Sequence, residues 1–100
     1  MAYEAGALEE TLAAAAGGDV DLLAELRASY VESVRRQIDL LERARCDGNW
    51  HMAGMRLKGL AASFHSAPLL ALAMDALDTA PGDPAVVRRL KAYIAEFSLT

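Results

Sequence analysis

The stretch DVDLLAELRASYVESVRRQIDLLERA, residues 19–44, decides the fold class. Asp19 is a good N-cap, so we predict a helix of about 25 residues that starts at Val20 and runs to the turn Asp47-Gly48. Charged side chains form its solvated face. Spacings of three and four, which define the other face, separate the apolar residues Leu22, Leu23, Leu26, Tyr30, Val31, Val34, Ile38, Leu41 and Ala44.

Periodicity and capping residues predict four more helices. Glycine at helix C-termini, serine or aspartate at N-caps and proline in a first turn mark their ends. The predicted segments are Glu4–Ala16 before Gly17-Gly18, Trp50–His65, a helix capped by Ser66 with Pro68 in its first turn, and a last helix from Asp83-Pro84 through Phe97. The fourth helix carries an apolar stripe of Leu69, Leu70, Leu72, Ala73, Ala76 and Leu77.

Composition agrees with an all-α fold. The chain of 100 residues has 21 Ala and 15 Leu but only 10 Val, Ile and Thr together, which excludes an all-β domain. Four helices of 14 or more residues with short connections predict an antiparallel up-and-down four-helix bundle. The short N-terminal helix is expected to pack across one end, and residues 1–100 form a single domain.

Charge and cysteine content exclude several classes of protein. A net charge of −4 argues against nucleic acid as the main partner, and the single Cys46 forms no internal disulfide. The longest uncharged stretch, Leu60–Met74, is too short to span a bilayer, so no membrane segment is expected. The start Met1-Ala2-Tyr3-Glu4 has no secretory signal pattern, and a cytoplasmic location is expected.

The third helix has an unusual outer face. At 100° per residue, an inward stripe of Trp50, Ala53, Leu57, Leu60, Ala61 and Phe64 leaves Met52, Met55, Lys58, Gly59 and Ala62 facing solvent. A mid-helix glycine costs about 1 kcal/mol relative to alanine, so Gly59 suggests a place where a partner approaches closely. Residues 48–74 contain no acidic residue but include Arg56 and Lys58, which favours an acidic partner.

This segment resembles the histidine phosphotransfer domain family, whose signature is His-x-Leu-Lys-Gly on the second long helix of a four-helix bundle. Leu57-Lys58-Gly59 and the following Ala61-Ala62-Ser63-Phe64 match it, as do Asp47-Gly48-Asn49-Trp50 before it. Asp19-Val20-Asp21-Leu22-Leu23 and Tyr30 look like the first long helix of the family, so the resemblance covers nearly the whole chain.

The position of the phosphorylated histidine holds Met55, and the glycine that ends this helix in the family is replaced by His65. A thioether has no nucleophilic nitrogen, so Met55 cannot accept phosphate. The resemblance therefore implies a monomeric, non-catalytic protein without cofactor or metal that binds a response-regulator receiver domain or a histidine kinase. The implied contact residues are Met52, Met55, Arg56, Lys58, Gly59 and Ala62.

Three alternatives remain open. His51, one turn before Met55, is an alternative phosphate acceptor, although Lys58 lies about 10 Å further along the axis. His65 is another, although Pro68 follows it three residues later and it lies where the helix should end. Met52 and Met55 can instead pack against the N-terminal helix or a second copy in a self-associating bundle. The soft ligands Cys46, His51, Met52 and Met55 lie within ten residues, as a Cu(I) site requires, but Cys46 precedes the Asp47-Gly48 turn and no repeated Met-x-x-Met pattern supports such a site.

Overall fold

Five α-helices form the part of the chain that the computed structural model describes, residues 2–99, with side chains described from Gly6 onward. Within these residues there is no strand, so the predicted all-α class is confirmed. None of the helices is both long and apolar enough to cross a membrane. The helices are α1 Ala2–Ala16, α2 Val20–Arg43, α3 Asp47–Phe64, α4 Ala67–Asp78 and α5 Pro84–Leu99.

The turn between α2 and α3 lies earlier than predicted. Ala44 leaves the helix with extended backbone angles, and residues 47–49, the predicted turn, form the first turn of α3. The Arg45 guanidinium donates to the carbonyls of Arg43 and Ala44 at the end of α2. The carboxylate of Asp47 lies in the first turn of α3, where negative charge is favourable. These local interactions place the connection at residues 44–46, three residues earlier than the sequence pattern indicated.

Helix α4 is also shorter than predicted, with 12 residues rather than at least 14. It ends at Asp78 because Thr79 is extended, and both the backbone N–H and the hydroxyl of Thr79 donate to the Ala76 carbonyl. Its start agrees with the prediction, since the Ser66 hydroxyl accepts from the Leu69 N–H.

The core lies between α2, α3, α4 and α5. Helix α2 packs against α3 and α5, and α4 packs against the same two helices, while α1 packs against α2, α3 and α4. Leu22 is an exception to the predicted apolar face, being 37% exposed, whereas its neighbour Leu23 packs against the core. The buried side chains that fill the core include Tyr30, Val34, Ile38, Leu41, Trp50, Leu57, Leu69, Val86, Leu90 and Ile94.

A network of hydrogen-bonded hydroxyl groups connects α2, α5 and the start of α4. The Tyr93 hydroxyl lies 2.9 Å from the Tyr30 hydroxyl and 2.9 Å from the Ser66 Oγ. Burial and the bond with Tyr93 raise the pKa of Tyr30, so its phenol stays neutral and keeps its proton for this network. The N-cap of α4 is thereby connected to both α2 and α5.

His65 ends α3 in the left-handed conformation, with φ 60° and ψ 42°. Here the histidine adopts the backbone geometry that glycine usually supplies at a helix end. The Thr11 hydroxyl donates to the Ala7 carbonyl and lies 3.0 Å from the His65 Nδ1, so the ring N–H donates to Thr11. This exposed contact links α1 to the α3–α4 turn.

His65→Gly is expected to raise the free energy of unfolding by about 0.5–1 kcal/mol, because glycine carries no Cβ penalty at positive φ. Thermal unfolding followed by circular dichroism measures it. The matched control is His51→Gly, also at an exposed histidine but inside α3, which should lower stability by about 1 kcal/mol. A loss of stability in both variants would contradict this assignment of the turn.

Candidate protein-binding face

Helix α3 has one buried and one exposed face. Trp50, Leu57 and Ala61 are at most 2% exposed, and the Trp50 indole N–H donates to the Ala76 carbonyl at 2.7 Å. On the opposite side Met52 and Met55 are 51% and 44% exposed. We call the exposed set the Met55 face; it consists of Met52, Met55, Arg56, Lys58, Gly59 and Ala62, of which only Lys58 is half-buried.

The two mid-helix glycines of α3, Gly54 and Gly59, differ in their surroundings. A methyl group at Gly54 would lie 2.9 Å from Cδ2 of Leu77, so Gly54 allows α3 to approach α4 closely. A methyl group at Gly59 would meet no atom within 4 Å outside the adjoining helix backbone. Packing of α3 against α4 therefore explains why position 54 is a glycine. No packing contact among the described residues requires a glycine at position 59.

Gly59→Ala is expected to raise the free energy of unfolding by about 1 kcal/mol, because alanine favours the helix and the space is open. Chemical denaturation measures the change. Gly54→Ala is the control and should gain less or lose stability, because its methyl group must displace Leu77. Equal gains at both positions would contradict the difference in packing.

Two cations of this face lack an ion partner. Most cations elsewhere are paired, for example Arg43 with Asp39 at 2.9 Å and Lys91 with Glu42 at 2.8 Å. Within residues 6–99 neither Arg56 nor Lys58 makes an ion pair. Their charge is therefore directed at solvent and attracts an acidic surface.

The other candidate residues lie on α3 or beside its ends. His51 is exposed on α3, and Cys46 is exposed at the start of that helix. His65 lies at the far end of α3, against Thr11. The portion of the chain with described side chains contains no group of three His, Cys, Asp or Glu residues that could hold a metal ion.

One exposed residue was missed by the sequence analysis. Met74 of α4 is 48% exposed and lies one turn before Leu77, the residue that contacts Gly54 of α3. It is a third exposed methionine, on α4 rather than on α3. The sequence signal for the exposure of Met74 was its position outside the predicted apolar stripe of α4.

Comparisons of the chain with protein-family models, with curated proteins and with solved structures gave no match.

Proposed function

We propose that this protein is a non-phosphorylatable relative of histidine phosphotransfer domains, acting in a two-component phosphorelay by binding a receiver domain or a histidine kinase. The observation that carries the proposal is the position of Met55. It is exposed in the middle of α3, with Lys58 and Gly59 one turn further on, where the family motif has its histidine.

The packing of the helices supports the finer fold that the proposal needs. Contacts of α2 with α3 and α5, and of α4 with the same pair, are those of four helices arranged in a ring. Short connections between successive helices favour antiparallel neighbours in such a ring. We therefore propose an antiparallel up-and-down four-helix bundle of α2 to α5, with α1 as the additional N-terminal helix.

Three properties of the Met55 face favour binding of the receiver: positive charge, an apolar contact and open space beside the helix backbone. Arg56 and Lys58 attract the acidic phosphorylation pocket that the family resemblance implies for the receiver. Met55 supplies a flexible apolar contact at the centre of the face. Gly59 and Ala62 have little or no side chain, so the partner backbone can approach α3 closely.

The proposed protein acts by occupying a binding surface of its partner and not by transferring phosphate. The Met55 thioether cannot take a phosphoryl group, so a bound receiver is neither phosphorylated nor dephosphorylated through this residue. A protein of this kind competes with active phosphotransfer domains or holds its partner in place, within the cytoplasm and as a monomer.

Binding of a panel of receiver domains from the source genome tests the proposal, with the wild-type chain and Lys58→Glu compared by calorimetry. We expect a receiver that binds in the micromolar range and is weakened about tenfold by the charge reversal. Gly59→Ala should also weaken it, although it stabilises the fold. A histidine kinase carrying its own receiver belongs in the panel.

Phosphate transfer through His51 is the alternative outcome. Incubation with a phosphorylated receiver, followed by an assay for acid-labile phosphate, distinguishes it. If the wild-type chain becomes labelled and His51→Ala does not, the protein is an active phosphate relay that uses His51, and the occupancy proposal is wrong. Self-association through Met52 and Met55 would instead appear as a dimer in sedimentation at tens of micromolar.

A further inference from the structure

A groove runs along the surface between α2 and α3. One half is lined by Leu40, Arg43, Arg45, Met52 and Arg56. The other half is lined by Arg36, Arg56, Gly59, Leu60 and Phe64. Arg56 belongs to both halves, so they adjoin there, and we call the whole the α2–α3 groove.

The groove is basic although the protein is acidic. Four arginines line it and no aspartate or glutamate does, whereas the chain has a net charge of −4. Arg36 and Arg43 have partners on α2, Glu32 and Asp39, in exposed pairs four residues apart. Such surface pairs are weak and exchange readily with a carboxylate from another molecule.

Apolar side chains accompany these charges. Leu40 is 38% and Met52 51% exposed, while Leu60 and Phe64 are half-buried. The lining residues of α3 extend from Asn49 to Phe64, a length of about 22 Å at 1.5 Å per residue. A mixed apolar and basic groove of this length has the dimensions of a helix of about 15 residues.

Gly59 is part of the groove wall. A methyl group there would meet nothing within 4 Å, so the wall is open at this point. Clearance for the backbone of a packed helix is a recognised use of glycine at helix contacts. The groove thus supplies the reason for Gly59 that packing within the chain does not.

We propose that the α2–α3 groove binds an acidic amphipathic helix of a partner protein, its apolar stripe on Leu40, Met52 and Leu60 and its carboxylates on Arg36, Arg43 and Arg56. This goes beyond the proposed function, since it holds whether or not the Met55 face binds a receiver domain. A nucleic acid is a poorer occupant, because a polyanion offers no apolar stripe and the whole protein repels it.

Titration of the full-length ¹⁵N-labelled chain with a synthetic peptide of about 16 residues tests this proposal. The peptide carries leucines at helical spacing flanked by glutamates, and a second peptide replaces the glutamates by lysines. We expect shifts in residues 36–45 and 49–64 with the acidic peptide only. No shifts, shifts elsewhere, equal binding of the lysine peptide, or preferred binding of a single-stranded oligonucleotide would overturn the proposal.

Charge reversal on α2 localises the effect. The double variant Arg36→Glu and Arg43→Glu should weaken the acidic peptide about tenfold. Arg89→Glu is the matched control, because Arg89 is also exposed and paired with an aspartate, Asp75, but lies on α5. Equal affinities in the double variant and the control would overturn the proposal, with circular dichroism verifying that both variants are folded.

Two further results separate this proposal from the receiver hypothesis. Lys58→Glu does not change a lining residue of the groove, so the peptide should keep its affinity within about twofold while receiver binding falls. If no receiver binds but the acidic peptide does, the groove stands and the proposed function fails. If receivers bind and the acidic peptide does not, the proposed function stands and the groove proposal fails.

Discussion

Met55→His is expected to convert the protein into a phosphoryl acceptor. Position 55 is exposed in the middle of a stable helix, and an imidazole there presents a nucleophilic nitrogen to solvent with Lys58 one turn away. Incubation with a phosphorylated receiver domain that binds the wild-type chain should label the variant and leave the wild type unlabelled. Acid-labile, alkali-stable phosphate on the variant identifies phosphohistidine.

Met52→His is the control for this experiment. Met52 is exposed on the same helix to a similar extent, but Met55 rather than a lysine lies three residues after it. The control should acquire little or no phosphate. Equal labelling of both variants would mean that any surface histidine on α3 suffices, and an unlabelled Met55→His that still binds the receiver would contradict the assignment of position 55.

Leu57→Ala is expected to destabilise the fold by about 2–5 kcal/mol, because Leu57 is fully buried and its removal leaves a cavity. In a domain of this size such a loss lowers the melting temperature by about 10 °C or more. Met55→Ala, two residues away and 44% exposed, should change stability by less than about 0.5 kcal/mol. Differential scanning calorimetry of the two variants measures the contrast.

This pair tests the alternative interpretation of the methionines. If Met55 packed in the core or against α1, its truncation would cost nearly as much as that of Leu57. A loss above about 2 kcal/mol in Met55→Ala would therefore contradict an exposed binding role for this residue. Concentration-independent melting of the wild type would in addition speak against a dimer formed through Met52 and Met55.

Much of the fold follows from periodicity. The apolar spacing of α2 and α3 predicts that Tyr30, Val34, Leu57 and Ala61 are buried and that Met55 is exposed, and the structure agrees. Such a pattern reports the direction of a side chain from its own helix axis, which requires no knowledge of neighbouring helices. The Ser66 N-cap is equally local, and it was also correct.

What could not be predicted depends on pairs of helices or on competing local signals. The sequence Asp47-Gly48-Asn49 is typical of a turn, but the extended Ala44 and the Arg45 bonds end α2 first, so α3 begins at Asp47. The difference between Gly54 and Gly59 requires the position of Leu77, and the α2–α3 groove requires the placement of two helices. The apolar periodicity of a single helix reports neither the position of Leu77 nor the placement of α2 beside α3.

The affinity of the wild-type chain for receiver domains, measured by calorimetry beside Lys58→Glu and Lys91→Glu, tests most directly whether the Met55 face binds a receiver. Lys91 is the control because it is exposed on α5 and paired with Glu42. We predict micromolar binding of at least one receiver, about tenfold weaker with Lys58→Glu and unchanged with Lys91→Glu. Absence of micromolar binding throughout the panel, or equal effects of the two reversals, would contradict the account.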